Sequence, residues 1–205
     1  MISTIIFDLG GVLIDWNPKY LYNKIFENEA EMDHFLNTVC TPDWNEEQDA
    51  GRSLEEATET LIRKHPEHEE NIRAYYTRWP EMLGGEIAGT VEILDKLRHA
   101  GKHRLYALTN WSYETFPIAQ ERYELLNWFD GIVVSGIEKM RKPAAAFYNL
   151  LLDRYNVNAR EALFIDDNKR NVDAAVQLGI DSIHFTTPED LHVELRRRNI
   201  LVSPE

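Results

Sequence analysis

Apolar runs that alternate with helical segments constrain the fold of this chain more than any other sequence feature. Helices are predicted over residues 87–100 and 168–178, and a glycine follows each of them, Gly101 and Gly179, as expected beyond a helix C-terminus. Apolar runs at 103–108, 131–135 and 161–166 lie between such helices. Continuous apolar strands are typical of a parallel sheet that helices cover on both faces. The sequence therefore predicts an α/β fold with a Rossmann-like parallel sheet.

One long segment interrupts this alternation. Residues 16–82 carry no strand signal, and helical spacing of apolar residues predicts helices over 18–26 and 29–39. A capping-box pattern at 53–56 and Pro66 predict two further helix starts, the second helix reaching Trp79. Gly84 and Gly85 close this block. We therefore predict a core of residues 1–15 and 83–205 and a small α-helical domain of residues 16–82, called here the insertion. Residues 202–205 are predicted to be a loose tail.

The first strand delivers a carboxylate to the edge of the predicted sheet. Residues 5–7 are apolar, Asp8 follows them, and Gly10 and Gly11 come next. Ligands of parallel sheets bind outside the carboxyl ends of the strands. Glycines there let the backbone approach an anion closely, and an aspartate can attack phosphorus to form an aspartyl phosphate. A tight turn after a buried strand is the alternative interpretation.

A second acidic strand end lies far away in the sequence. The apolar run 161–165 ends at Asp166 and Asp167. Adjacent carboxylates repel each other unless a cation or a proton lies between them. Together with Asp8 they would form an all-oxygen site suited to Mg²⁺. The alternative is that these aspartates cap the helix that begins near Asn168.

Two more strand ends complete the set. Thr109 and Asn110 follow the run 103–108, and both offer donors for phosphate oxygens. Lys142 precedes Pro143, which we predict at the first position of a helix. A lysine held there is a point charge for a phosphate group. The alternative is an ordinary solvated lysine.

In this order, Asp8, Thr109-Asn110, Lys142 and Asp166-Asp167 resemble the four motifs of the haloacid dehalogenase superfamily, over essentially the whole chain. Most members of that superfamily are Mg²⁺-dependent phosphatases. The segments 7–15 and 164–168 look most like its small sugar-phosphate phosphatases. That subgroup includes bacterial α-glucose-1-phosphate phosphatases and is related to the N-terminal domain of soluble epoxide hydrolases. The resemblance implies that Asp8 is the nucleophile and that the insertion is a mobile cap.

The resemblance also implies a role for each of the site residues. The Mg²⁺ ligands would be Asp8, the carbonyl of Gly10 and Asp167. Asp166 would either bind the metal directly or support the residues that bind it. The developing charge on phosphorus would be stabilised by Lys142, Thr109 and the N–H groups of Gly11 and Asn110. Trp16 and Trp44 are predicted to line a sugar pocket, since Trp16 follows the first strand closely and Trp44 lies in a turn-like segment.

Gly10 departs from the pattern of most relatives. Most phosphatases of the superfamily carry there a second aspartate, which protonates the leaving group. The acid would then come from elsewhere or from water, or be missing. Asp15 is the nearest other carboxylate, although we expect it to cap a helix near Pro18. Two alternatives stay open. One is a 2-haloacid dehalogenase, which uses no metal and is disfavoured by Asp166 and Asp167. The other is a non-catalytic phosphate-binding or regulatory protein.

Composition limits the partners. A net charge of −13 over 205 residues makes nucleic acid an unexpected partner, and an anionic substrate then needs a local positive site. Cys40 is the single cysteine, which fits a reducing compartment. No apolar stretch approaches the roughly 20 residues that span a bilayer, and the first strand leaves no room for a signal peptide. We expect a cytoplasmic monomer or homodimer that binds a small phosphorylated metabolite and no membrane.

Overall fold

The computed structural model describes residues 1–201, so the predicted tail 202–205 lies outside the described residues. Short strands and longer helices alternate over most of this length. The strands are β1 (Thr4–Phe7), β2 (Ile14–Trp16), β3 (Leu83–Glu86), β4 (Arg104–Thr109), β5 (Gly131–Val134), β6 (Ala162–Asp166) and β7 (Asp181–His184).

Five of these strands form one parallel sheet in the order β5-β4-β1-β6-β7. Strand β1 lies at the centre, where Phe7 pairs with Ala107 on one side and Ile165 on the other. This register brings the ends of β1, β4 and β6 to the same edge of the sheet. The predicted α/β fold with a Rossmann-like parallel sheet is confirmed.

Helices cover the sheet and fill the insertion. The helices are α1 (Lys19–Tyr22), α2 (Glu29–Thr38), α3 (Pro42–Asp49), α4 (Leu54–Lys64), α5 (Glu69–Thr77), α6 (Ala88–Ala100), α7 (Phe116–Arg122), α8 (Ser135–Glu138), α9 (Ala145–Arg154), α10 (Lys169–Gln177) and α11 (Pro188–Arg197). Gly101 ends α6 with a φ of 62°, and Gly179 follows α10 with a φ of 81°. Both glycines have the positive φ that is common for a glycine beyond a helix C-terminus.

Inside the insertion the predicted helices are present with shorter bounds. The side chain of Ser53 accepts a hydrogen bond from the N–H of Glu56, as the capping box predicts for α4. Pro66 begins a 3-10 turn ahead of α5, and Trp79 begins another, so the continuous helix predicted from Pro66 to Trp79 is wrong. The boundaries of the insertion at residues 16 and 82 stay a prediction.

A two-stranded antiparallel sheet at the base of the insertion was not predicted. Strand β2 pairs antiparallel with β3, and Asp15 lies opposite Gly85. Gly84 and Gly85 therefore belong to a strand rather than to a closing turn. A side chain on Gly84 would have its Cβ 2.2 Å from Asp15 Oδ2, so only glycine allows this close pairing. Strands of three and four residues are too short to show alternation in sequence.

Two apolar layers flank the sheet. Tyr148 and Phe164 belong to the layer on one face. The other layer continues into the insertion, where Tyr22, Phe35 and Tyr75 form a buried aromatic cluster. This shared layer fixes the insertion against the core by hydrophobic burial. Among residues 1–201, none of the helices has the length and apolar character needed to cross a membrane.

Candidate active site

A buried ammonium group joins two of the predicted carboxylates. Lys142 Nζ lies 2.9 Å from Asp8 Oδ2 and 2.7 Å from Asp166 Oδ2. Burial raises the pKa of Asp8, the charges of Asp166 and Asp167 act in the same direction, and Lys142 opposes them. Burial lowers the pKa of Lys142, but attraction to Asp166 and Asp8 outweighs it and leaves that pKa above its ordinary value. Lys142 is therefore a buried cation, and the solvated-lysine alternative is excluded.

Asp166 is fully buried and has both carboxylate oxygens occupied. Besides Lys142, it accepts hydrogen bonds from the N–H of Asn168, at 2.7 Å, and from Nδ2 of Asn171, at 3.1 Å to each oxygen. A carboxylate with this many partners suits a place behind a metal ion better than direct coordination. Asn171 was missed by the sequence analysis, although it lies three residues after the N-cap Asn168, on the buried face of α10.

Asp167 lies on the open side of the same cluster. One carboxylate oxygen each from Asp8, Asp166 and Asp167 can be chosen so that all lie within 4.8 Å of one another. Burial, followed by the charge of Asp166, raises the pKa of Asp167. Three oxygen donors under mutual repulsion are the donor set that a hard divalent cation satisfies. The residues present therefore fit Mg²⁺.

Gly11 makes room for Asp167. A Cβ on Gly11 would lie 2.3 Å from Asp167 Oδ2, and Gly11 has a φ of 74°. The N–H of Gly11 donates to the carbonyl of Ile14 at 2.9 Å. Our prediction that this N–H binds phosphate is therefore wrong, because the loop that reverses the chain after β1 uses it. The contribution of Gly11 is the space it leaves.

Thr109 and Asn110 have different surroundings. Thr109 Oγ1 is buried and has no hydrogen-bond partner within residues 1–201, so its predicted contact with a phosphate oxygen stays a prediction. The amide of Asn110 instead pairs twice with the backbone of Lys142: Oδ1 accepts from its N–H at 2.9 Å, and Nδ2 donates to its carbonyl at 3.1 Å. The Asn110 side chain thus positions Lys142.

Pro143 does not begin a helix, contrary to the sequence prediction. Helix α9 begins at Ala145 with Ala144 as its N-cap, so Pro143 lies in the preceding turn. Lys142 is held instead by the amide of Asn110 and by its two carboxylate partners.

Two adjoining cavities open onto Asp8, one of about 370 Å³ and one of about 390 Å³. Both are lined by Asp8, Trp16, Asn45, Asp49, Asn110 and Asp167. The first cavity also has aromatic walls, Tyr76, Trp79 and Trp111, and the polar residues Ser112 and Thr115. Trp16 therefore lines both cavities beside Asp8, and its predicted contact with a sugar stays a prediction.

Trp44 lines neither cavity, so our prediction that it lines a sugar pocket is corrected. Its indole lies outside both cavities and packs against Tyr75 and Tyr76, with ring centroids 5.1 and 5.4 Å away. Its Nε1 donates to the carbonyl of Ala57 at 3.3 Å. The segment predicted as a turn is helix α3, which Thr41 caps. The helix directs Trp44 into the core of the insertion.

Asp15 is also placed differently from both of its predicted roles. Its Oδ2 accepts a hydrogen bond of 2.6 Å from the hydroxyl of Tyr20, and it lies outside both cavities. The N–H of Lys19 at the start of α1 is accepted by Asn17 Oδ1. Asp15 therefore neither caps the helix nor faces the site.

Helix α3 brings the insertion over the site. Glu46 forms ion pairs with Arg141 and Arg170 of the core, each at 3.1 Å, and Glu47 pairs with Arg141 at 3.3 Å. Arg141 adjoins Lys142 in the chain, so these pairs connect the insertion to the loop that carries the buried cation. Asp49, at the end of the same helix, lines both cavities.

Known proteins resemble this chain in sequence. The sequence model of the family described as haloacid dehalogenase-like hydrolase matches residues 2–179. The chain is 28% identical over 192 residues to the sesquiterpene phosphatase astK of Aspergillus oryzae, with 94% of each protein covered. It is 27% identical over 187 residues to the phosphorylated carbohydrates phosphatase of Thermotoga maritima, covering 89% of this chain and 84% of that protein.

A solved structure shares the fold. It is that of a HAD family enzyme from Bacteroides thetaiotaomicron in complex with magnesium and inorganic phosphate. The TM-score is 0.67 at 21% identity, with 91% of this chain and 96% of that chain covered.

Proposed function

Because the chain belongs to the haloacid dehalogenase-like hydrolase family, we propose that it is a Mg²⁺-dependent phosphomonoesterase that acts on a small phosphorylated metabolite. The observation that carries this proposal is the meeting of three carboxylates with the buried Lys142 at one edge of the sheet. Family membership confirms the resemblance predicted from the motifs. The phosphatase names of two relatives, and the magnesium and phosphate in a structural neighbour, support the same chemistry.

The metal would be held by carboxylate oxygens of Asp8 and Asp167 and by the carbonyl of Gly10, with Asp166 behind them. A bound Mg²⁺ supplies positive charge to the phosphoryl oxygens. Asp166 has the separate task of holding Lys142, since its oxygens already have partners.

The residues of the chain perform the substitution at phosphorus. Asp8 attacks, and its Oδ1 is oriented by the N–H of Leu9 at 2.8 Å. Lys142 and the unpaired hydroxyl of Thr109 stabilise the charge that develops on the phosphoryl oxygens. Water then hydrolyses the aspartyl phosphate and restores Asp8.

Within this class we favour a sugar phosphate. The first cavity combines aromatic walls, among them Trp79 and Trp111, with the polar groups of Asn45 and Ser112. A sugar ring offers apolar faces to the walls and hydroxyl groups to the polar side chains. The name of one relative includes phosphorylated carbohydrates, whereas that of another includes a sesquiterpene. A prenyl phosphate is therefore the competing substrate class.

The test is phosphate release from a panel that contains glucose 1-phosphate, other sugar phosphates, farnesyl phosphate and 4-nitrophenyl phosphate. We expect hydrolysis that requires Mg²⁺ and vanishes in Asp8→Asn. Activity that survives Asp8→Asn, or that persists in EDTA, contradicts the mechanism. Preference for farnesyl phosphate over every sugar phosphate contradicts the substrate class alone.

Gly10 favours one other candidate, the non-catalytic phosphate-binding protein, since no acid stands next to the nucleophile. Thermal stabilisation by sugar phosphates without release of phosphate from any of them would support it. The dehalogenase alternative would require chloride release from 2-chloropropionate in EDTA. The cytoplasmic location and the monomeric or homodimeric state stay predictions.

A further inference from the structure

The position that usually carries the proton donor is open in this protein. Gly10 has no side chain, and a Cβ built there would meet no atom within 4 Å in the described part of the chain. Gly10 lines the first cavity, so this open space belongs to the site. A proton donor that reaches it must come from another wall of the same cavity.

We propose that Asp49 of the insertion is the general acid and general base of the proposed phosphatase reaction. This role rests on that function. Asp49 lines both cavities together with the nucleophile Asp8, and it reaches them from helix α3 on the side of the insertion. It would thus face the leaving group rather than the nucleophile, as a proton donor must.

Other carboxylates near the site have partners that remove them from consideration. Asp15 accepts from Tyr20 and lies outside both cavities. Glu46 pairs with Arg141 and Arg170. Within residues 1–201, by contrast, no Lys, Arg or His nitrogen lies within ion-pair distance of the Asp49 carboxylate.

The surroundings of Asp49 favour a carboxyl group that gains and loses a proton near neutral pH. Burial raises its pKa from 3.8 to about 7, with the charge of Glu46 acting in the same direction. Arg141, Lys142 and a backbone hydrogen bond from Ser112 act against that rise. The phenol of Tyr76, in the same cavity, has a pKa raised far above neutral and stays uncharged. A pKa near the working pH suits an acid that must also act as a base.

The proton balance closes over one turnover. When Asp8 attacks phosphorus, the bond to the leaving oxygen breaks, and that oxygen takes the proton of the Asp49 carboxyl. Asp49 is then a carboxylate beside the aspartyl phosphate. It accepts a proton from the attacking water, the bond between phosphorus and Asp8 breaks, and the electron pair returns to Asp8. Inorganic phosphate and protonated Asp49 remain.

Two substrates of similar shape separate this role from a structural one. 4-Nitrobenzyl phosphate releases an alkoxide that needs a proton, whereas 4-nitrophenyl phosphate releases a stable phenolate. For Asp49→Asn we expect kcat for the benzyl substrate to fall about 10²-fold. With the phenyl substrate we expect a burst of nitrophenol equal to the enzyme concentration and then slow turnover, because the aspartyl phosphate lacks its general base.

Asp43→Asn is the matched control, since Asp43 is an exposed aspartate of the same helix. It should behave as the wild type with both substrates.

Adding Gly10→Asp to Asp49→Asn should restore part of the lost hydrolysis of 4-nitrobenzyl phosphate, since the open space accepts the new side chain. The wild type gives a measurement that needs no variant: the ratio of benzyl to phenyl rates should fall as pH rises above about 7.

Three results would overturn the assignment of Asp49. Asp49→Asn could lose the same activity on both substrates without a burst, or it could lose no activity. The ratio of benzyl to phenyl rates in the wild type could also stay constant with pH. These results leave the phosphatase function intact, because the wild type is active in each of them. A wild type that hydrolyses neither substrate in Mg²⁺ refutes the proposed function itself, and this inference with it.

Discussion

The ammonium group of Lys142 lies 2.9 Å from Oδ2 of Asp8, in a position where the lysine side chain is fully buried. Asp166 binds the same nitrogen from the other side, at 2.7 Å. The Asp8 carboxylate is therefore oriented by a cation whose own position is fixed by a second carboxylate and by Asn110. Removal of the cation would leave two buried carboxylates facing each other.

We expect Lys142→Met to lower the free energy of unfolding by about 3 kcal/mol, because breaking a buried ion pair leaves an uncompensated charge. It should also abolish phosphate release. Urea unfolding at pH 7 measures the first effect. The exposed Lys102→Met is the control, and it should stay within about 0.5 kcal/mol of the wild type. A Lys142→Met variant as stable as this control would show that the buried pair contributes little.

Gly11→Ala should displace Asp167, because the added Cβ would lie 2.3 Å from its Oδ2. We expect Mg²⁺ affinity to fall about tenfold or more, as when other groups that orient a metal ligand are changed. The left-handed φ of 74° should cost a further 1–2 kcal/mol, roughly, of stability. Calorimetric titration with Mg²⁺ and urea unfolding measure both. Gly10→Ala, where a Cβ has open space, should fold with nearly unchanged stability. Equal Mg²⁺ affinity in Gly11→Ala and the wild type would refute the role of this contact.

The two tryptophans should separate into different phenotypes. Trp44→Leu should lower stability by about 2 kcal/mol, since it removes packing in the core of the insertion. Its KM should change little. Trp16→Leu should instead raise KM, because Trp16 lines both cavities. Thermal unfolding and steady-state kinetics on the best sugar phosphate distinguish them. A large KM effect of Trp44→Leu at unchanged stability would mean that Trp44 touches the substrate after all.

Glu46→Gln should loosen α3 from the core, because Glu46 forms ion pairs with both Arg141 and Arg170. Partly exposed pairs contribute up to about 1 kcal/mol each. We therefore expect hydrogen exchange of the α3 amides to quicken about fivefold, and the wild type to show a similar change in high salt. Glu47→Gln removes a single, more exposed pair and serves as the control. If the hydrogen exchange of the α3 amides is unchanged in Glu46→Gln, these ion pairs do not hold α3 against the core.

Asp49 should make stability depend on pH. Its pKa is about 7 in the folded protein and near 3.8 when exposed. Between these values the unfolded chain has lost the proton that the folded protein keeps, so stability falls as pH rises through this window. Asp49→Asn removes this contribution. Relative to the wild type it should gain stability from pH 4 to pH 7, by at most about 1.4 kcal/mol per pH unit. Urea unfolding of both proteins at several pH values tests this, and a constant difference between them would contradict it.

Much of the site could be predicted from the sequence because the carboxyl ends of parallel strands lie at the same edge of a sheet. Asp8, Thr109 and Asp166 each follow or finish an apolar run, and pairing of β1 with β4 and β6 is enough to bring them together. Short sequence patterns also predicted the glycines beyond α6 and α10 and the N-cap Ser53 of α4. These signals act within a few residues, so the sequence alone contains them.

Errors arose where a side chain's use depends on distant partners. The N–H of Gly11 was assigned to phosphate, but it pairs with Ile14. Asp15 was a candidate acid, but it belongs to the unpredicted strand β2 and accepts a hydrogen bond from Tyr20. Pro143 suggested a helix start, whereas the position of Lys142 depends on Asn110, which is 32 residues away. No local pattern reports such contacts.

The sequence by itself determined the fold class, the order of the polar residues at the strand ends and the cluster of Asp8, Asp166 and Asp167. Only the tertiary structure decided which parts of the insertion face the site. Helix α3 turns Trp44 inward against Tyr75 and Tyr76 and presents Asp49 to the cavities. The physical reason is that the docking of the insertion comes from long-range apolar burial and from ion pairs such as Glu46 with Arg170. These contacts join residues far apart in the chain, and helical periodicity shows only that a face is buried, not what it is buried against.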